Sequence, residues 1–203
     1  IDYPLEIGYI SAINRELPED SYTCDAYMTS GSRQGANDEQ LWIRELEAFI
    51  SKLYAAGIGF VGICFGHQLI ATALGGRVEK SPKGWGIGIA GSQIVAKQSW
   101  MITSKNEINL VVSHQDQICE LPPQSQVLMS SDFCPYSMIQ VGEHFIGLQG
   151  HPEFSRQYSY ALMDSRRDRI SAEVIEAGSA TLTHEADDVL VMRWLVNFLK
   201  QIL

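Results

Sequence analysis

The sequence predicts an α/β domain with a mostly parallel central sheet. Strand and helix patterns alternate along the chain, and the apolar run at Gly59–Cys64 is typical of a strand buried on both faces. A helix pattern follows that run after a single short turn. The chain has 203 residues, which is the length of one domain, so we expect a single domain over residues 1–203.

The first half of the chain contains the clearest helix pattern. Apolar residues recur from Leu46 to Leu53 at spacings of three and four, which places them on one helix face, and Gly57 can end that helix. In chain order, the predicted elements are strands at Leu5–Ser11, Ala26–Thr29 and Gly59–Cys64 and helices at Glu39–Ala56 and Gln68–Leu74.

Short strands separated by turn residues dominate the middle of the chain, and helix patterns return after His151. The final helix pattern has acidic residues in its first turn and Lys200 in its last, an arrangement that the helix dipole favours. The predicted strands are Ile87–Ala96, Asn109–Ser113, Gln126–Ser130, Met138–Val141 and His144–Gln149, and the predicted helices are Arg156–Ala177 and Glu185–Ile202.

The segment GICFGHQ at 62–68 has the form of a nucleophile elbow, G-x-C-x-G, in which a buried strand runs into Cys64 and a helix leaves just after it. Glycines suit both sides of such a turn because other side chains would clash with the backbone that packs there. The helix start favours the thiolate, and the N–H of Phe65 would point to where an oxyanion develops. Cys64 is therefore the candidate nucleophile, and an inert buried cysteine is the alternative.

A thiol nucleophile needs a base, and His151 is the best-placed histidine. It follows a strand pattern in the segment GHPEF at 150–154, where Glu153 stands two residues later. A carboxylate in that position can hold the tautomer and the orientation of the imidazole. His67 is expected to point away from the thiol, whereas His114 ends a strand at the sheet edge where sites collect.

Together, the two motifs closely resemble those of the class I, or triad, glutamine amidotransferases. Four further stretches agree: SGSR at 30–33, KSPKGWGIG at 80–88, SHQDQI at 113–118 and SSDFCP at 130–135. The resemblance covers nearly the whole chain and implies a three-layer, flavodoxin-like fold with an added antiparallel β region. Members of that family usually begin with a strand and a helix that precede the element at Leu5–Ser11, so we expect the first β-α unit to be missing from this sequence.

The resemblance also implies a Cys-His-Glu triad. Cys64 would attack the side-chain amide of glutamine, His151 would transfer protons and Glu153 would orient His151. Ammonia would leave, and water would hydrolyse the γ-glutamyl thioester. The other site residues that the resemblance implies are the oxyanion-hole N–H donors Gly31 and Phe65 and the substrate-binding residues Gln68, Ser113 and Asp116.

Departures from related glutaminase domains leave the substrate open. Ser30–Ser32 stands where those domains usually have Gly-Gly-Pro, Gln115 stands where they tend to have glycine, and His67 replaces a more common methionine. GICFGHQ is closer to stand-alone members, including the plant γ-glutamyl peptidases. Three functions follow: a glutaminase that releases ammonia from glutamine, a γ-glutamyl peptidase acting on small γ-glutamyl compounds and, less favoured, a non-catalytic regulatory subunit.

The composition limits which binding partners and which cellular compartment we expect. A net charge of −9 disfavours nucleic acid and anionic membranes, and no run reaches the ~18 apolar residues of a membrane span. Four scattered cysteines with no CxxC pair, and no visible signal peptide, favour the cytoplasm and argue against a structural zinc site. We expect no metal or organic cofactor. The expected substrate is glutamine or a γ-glutamyl small molecule, and a separate synthetase or acceptor subunit is a candidate partner. The expected oligomeric state is a monomer or a homodimer.

Overall fold

The computed structural model describes residues 5–203, in which two strands alternate with two α-helices, seven strands then follow one another, and three α-helices come after them. A short 3₁₀ helix lies at Ser21–Thr23. The helices are α1 (Leu41–Ala56), α2 (Phe65–Ala73), α3 (Arg156–Asp164), α4 (Ala172–Thr181) and α5 (Asp188–Ile202). The strands are β1 (Ala26–Thr29), β2 (Gly59–Ile63), β3 (Arg77–Lys80), β4 (Gly86–Ile94), β5 (Glu107–His114), β6 (Asp116–Glu120), β7 (Ser125–Ser130), β8 (Met138–Val141) and β9 (Phe145–Leu148).

Seven of these strands form one curled sheet in the order β1-β2-β9-β8-β7-β4-β5. Strands β1, β2 and β9 run parallel, whereas every pairing from β9 through β8, β7 and β4 to β5 is antiparallel. The predicted α/β fold is confirmed, but the sheet is mixed rather than mostly parallel. The cause lies in the connections, because α1 provides a crossover between β1 and β2, whereas only residues 142–144 join β8 to β9.

Helices cover both faces of the parallel part of the sheet. Phe60 of β2 packs in a core with α1 and α2, whereas its neighbour Val61 packs in a core with α5. In β9, Phe145 packs in the core with α1 and α2, and Ile146 packs in the core with α5. All five residues of β2 are buried, as predicted for a strand covered on both faces. This packing fixes the end of β2, where the chain turns into α2.

The remaining elements extend the domain around the antiparallel strands. Helix α4 packs on β4, and Met163, Ile170 and Ile175 form a small core that Trp85 and Ile87 complete. Strands β3 and β6 pair antiparallel in a separate two-stranded sheet. No helix within residues 5–203 is long and apolar enough to cross a membrane.

Two secondary-structure predictions were wrong, and two strands were not predicted. Leu5–Ser11 forms no strand; most of its side chains are exposed, so its apolar residues reflect no buried strand. The predicted helix at Arg156–Ala177 is divided into α3 and α4, because the hydroxyl of Ser171 accepts the N–H of Val174 at 3.4 Å and starts a new helix. Strands β3 and β6 were missed because they are short and largely polar.

Candidate active site

Cys64 occupies the turn between β2 and α2. Its φ of 52° lies in the left-handed region, which is a strained conformation for a residue with a side chain. A Cβ on Gly62 would lie 2.4 Å from the carbonyl oxygen of Gly66, and a Cβ on Gly66 would lie 2.6 Å from that of Thr29. The turn therefore has no room for a side chain at either glycine, and it presents the thiol at the start of α2.

His151 lies beside this turn, three residues after the end of β9. Its backbone N–H donates to the carbonyl oxygen of Val111 at 2.8 Å, which anchors it to β5. Its Nδ1 lies 2.8 Å from Oε1 of Glu153; because a carboxylate oxygen accepts, Nδ1 carries the proton and Nε2 is left for another partner. The ring of Phe154 stacks on the imidazole with 3.8 Å between centroids and so fixes the plane of the imidazole.

The imidazole of His151 interacts with the thiol on one side and the carboxylate on the other. Burial alone would lower the pKa of His151, but the interactions with Cys64 and Glu153 outweigh burial and raise that pKa to about 9. The imidazole is 2% exposed and the carboxylate 28%. Thiol, imidazole and carboxylate thus stand in series, an arrangement that can take a proton from the thiol and deliver it to a leaving group.

Two buried glutamines support the thiol. Gln149 donates a side-chain N–H to Sγ of Cys64 at 3.4 Å, and Gln68 donates to Oε1 of Gln149 at 3.2 Å. Gln68 also donates to the backbone carbonyl of Asp116 at 2.7 Å, so it links the nucleophile turn to the start of β6. Gln149 was not among the predicted site residues, although it directly precedes the segment GHPEF.

The two residues predicted to form an oxyanion hole both lie at the site. Phe65 is the first residue of α2, directly after the thiol. Gly31 lies against the imidazole, since a Cβ on it would be 3.0 Å from Cε1 of His151. Their role as N–H donors to an oxyanion stays a prediction.

The other predicted substrate-binding residues lie at the end of β5 and the start of β6. Ser113 is buried, and its hydroxyl accepts a hydrogen bond from Nη1 of Arg166 at 2.6 Å. The carboxyl of Asp116 is half-buried, and burial raises its pKa. Its Oδ1 is buried and has no hydrogen-bond partner among residues 5–203.

Two other histidines nearby are weak bases. Burial, reinforced by the charge of His114, lowers the pKa of His67 to about 3. The ring of His67 packs against Gly147, where a Cβ would lie 2.5 Å from Nδ1. Burial also lowers the pKa of His114 to about 4, and the ring of His114 packs edge-on against Phe133. His151 is therefore the histidine at this site that is suited to accept the thiol proton.

A cavity of about 330 Å³ lies next to the site, inside the curl of the antiparallel strands. The residues that line it include Gln149, Gly150, Trp85, Phe133 and Gly178. In the described part of the chain, no group of three or more His, Cys, Asp or Glu side chains could hold a metal ion.

Comparison with known proteins gives matches over most of the chain. A family model described as class I glutamine amidotransferase matches residues 10–162. Gamma-glutamyl peptidase 3 of Arabidopsis thaliana is 30% identical over 186 residues, which are 87% of this chain and 74% of the relative. A glutamine-hydrolyzing GMP synthase of Yersinia pestis is 33% identical over 50% of this chain and 21% of its own length. The crystal structure of a glutamine amidotransferase from Thermotoga maritima superposes with a TM-score of 0.77 at 19% identity, over 96% of this chain and 85% of that one, which shows a common fold.

Proposed function

Since the chain belongs to the class I glutamine amidotransferase family, we propose that it is a cysteine-dependent hydrolase of γ-glutamyl amide bonds. The observation that carries this proposal is the series of Cys64, His151 and Glu153 at the strained turn after β2. A buried imidazole held between a thiol and a carboxylate has the arrangement of an activated nucleophile. A non-catalytic role would give no reason for this arrangement.

The reaction proceeds in two stages. His151 takes the thiol proton through Nε2 while Glu153 holds Nδ1–H, and Sγ of Cys64 attacks the γ-carbonyl carbon. The N–H groups of Gly31 and Phe65 stabilise the oxyanion. His151 then protonates the leaving amine, and a γ-glutamyl thioester remains on the sulfur. Water, deprotonated by the same imidazole, hydrolyses this thioester and releases glutamate.

Small γ-glutamyl peptides are the favoured substrates. The relative that matches 87% of this chain is named a γ-glutamyl peptidase, whereas the GMP synthase matches half of it. Gly31 and Glu153 are exposed at the rim of the site, which leaves room for a leaving group larger than ammonia. Glutamine is the second candidate because it has the same γ-amide, and its ammonia would then pass to an acceptor on a separate subunit.

A substrate screen tests this proposal. Glutamate release is measured from γ-glutamylglycine, γ-glutamylalanine and glutamine, together with ammonia release from glutamine. The peptides should be cleaved faster than glutamine, and Cys64→Ser should abolish all turnover. Cys24→Ser, which changes a partly exposed thiol elsewhere, is the matched control and should retain it. Turnover that survives in Cys64→Ser, or a wild type inactive on all three compounds, would overturn the proposal.

A further inference from the structure

Arg166 is an arginine whose surroundings differ from those of its neighbours. It lies in the turn at residues 165–169 that follows α3, just beyond the segment 10–162 matched by the family model. The side chains of Arg167 and Arg169 in the same turn are exposed, whereas that of Arg166 is half-buried. The fold thus directs this one cation of the turn inward.

Two contacts fix the guanidinium of Arg166. Its Nη1 donates to the hydroxyl of Ser113 at 2.6 Å, and its central carbon lies 5.3 Å from the ring centroid of Trp85, a cation–π distance. Ser113 lies two residues along β5 from Val111, whose carbonyl anchors His151. Residues two apart on a strand are separated by about 7 Å, so the guanidinium stands beside the candidate active site.

Arg166 and Arg167, neighbours in the same turn, differ in their ion pairing. Within residues 5–203, no carboxylate forms an ion pair with Arg166, whereas Arg167 pairs with Asp164 at 2.6 Å. Burial, followed by the positive charge of Arg169, lowers the pKa of Arg166, and a negative charge on Cys64 would act in the opposite direction. A guanidinium has five N–H donors, and in the described part of the chain only one hydrogen bond, to Ser113, is formed here, so Arg166 has donors left for an anion.

We infer that Arg166 binds the α-carboxylate of the γ-glutamyl substrate and thereby makes the enzyme prefer substrates in which that carboxylate is free. The inference rests on the proposed function. Three carbon atoms separate the γ-carbonyl carbon from this carboxylate, so its binding group belongs beside the nucleophile and not at it. The net charge of −9 also opposes an anionic substrate, so a local cation is needed to hold one.

The test compares two pairs of substrates with three variants. γ-Glutamylalanine and glutamine are each matched with an analogue whose α-carboxylate is replaced by an α-carboxamide. Arg166→Gln removes the charge but keeps an N–H for Ser113, Arg166→Lys keeps the charge, and Arg167→Gln is the exposed control. Folding of each variant is checked by thermal unfolding, and the alkylation of Cys64 by uncharged iodoacetamide reports the thiol separately.

Arg166→Gln should lower kcat/KM about 10- to 100-fold for the free acids, mainly through KM, because a charge-assisted hydrogen bond is lost. It should change kcat/KM for the α-carboxamides less than about threefold and leave alkylation unchanged, and Arg166→Lys should recover part of the loss. An equal loss for acids and carboxamides, no loss, or slower alkylation would overturn the inference. If the wild type cleaves none of the four compounds, the proposed function itself fails.

Discussion

Replacing Glu153 with glutamine shows how strongly the carboxylate holds the imidazolium form of His151. The substitution removes a negative charge but keeps an oxygen that can accept from Nδ1, which lies 2.8 Å away in the wild type. A negative neighbour favours the protonated imidazole, so its loss favours the neutral form. The pKa of His151, about 9 in the wild type, should therefore fall.

The size of the fall follows from the geometry. Opposite charges about 4 Å apart attract by about 4 kcal/mol at an effective dielectric constant of about 20. The carboxylate is 28% exposed, so solvent screens part of this attraction, and the contact between His151 and Cys64 remains in the variant. We therefore expect Glu153→Gln to weaken the electrostatic stabilisation of the imidazolium by about 1–2 kcal/mol, which corresponds to a fall of about one unit in the pKa of His151.

The assay is an NMR titration of the His151 ring in the wild type, in Glu153→Gln and in Glu143→Gln. Glu143 is exposed in the turn between β8 and β9 and serves as the control for loss of one carboxylate. The pH above which kcat/KM declines should move down with the pKa, because His151 must be protonated to release the leaving group. An unchanged pKa in Glu153→Gln, or a slower turnover in it than in His151→Ala, would refute the roles assigned to both residues.

Other predictions concern the thiol and its turn. Near neutral pH, iodoacetamide should label Cys64 faster than any other cysteine. Burial raises the pKa of Cys134 to about 12, so that thiol should stay unlabelled. Equal labelling of Cys64 and Cys134, measured by peptide mapping, would contradict an activated Cys64. Gly62→Ala should lower the free energy of unfolding by about 3 kcal/mol or more in urea titrations, because its Cβ would overlap the backbone. Gly8→Ala has open space and should change it by less than about 0.5 kcal/mol; similar effects of the two substitutions would refute the packing argument.

The parts of the fold that were predictable are those with a strong local pattern. The apolar run that ends at Cys64 became β2, buried at every residue, and the helix ending at Gly57 became α1. Leu5–Ser11 was wrongly predicted as a strand because an apolar segment has the same local pattern whether or not it pairs with a sheet. The antiparallel pairing in the main sheet depends on partners distant in the chain, which a local pattern does not specify.

The residues of the candidate site likewise fall into those that the sequence identified and those that it did not. Cys64, His151 and Glu153 stand in compact motifs that made them candidates, and the family resemblance implied their roles. Gln149 and Arg166 have no motif of their own, and each gains its place only through tertiary contact, Gln149 with the thiol and Arg166 with a serine 53 positions away. Such residues can be identified as part of the site only from the folded structure.

Trapping the covalent intermediate is the direct test of whether Cys64 forms a γ-glutamyl thioester. γ-Glutamylalanine is mixed with the wild type, the reaction is stopped with acid, and the intact protein and its peptides are weighed by mass spectrometry. We expect one added γ-glutamyl group, located on Cys64 and absent from Cys64→Ser. Turnover without this adduct in a burst-phase time course, or an adduct on any other residue, would contradict it.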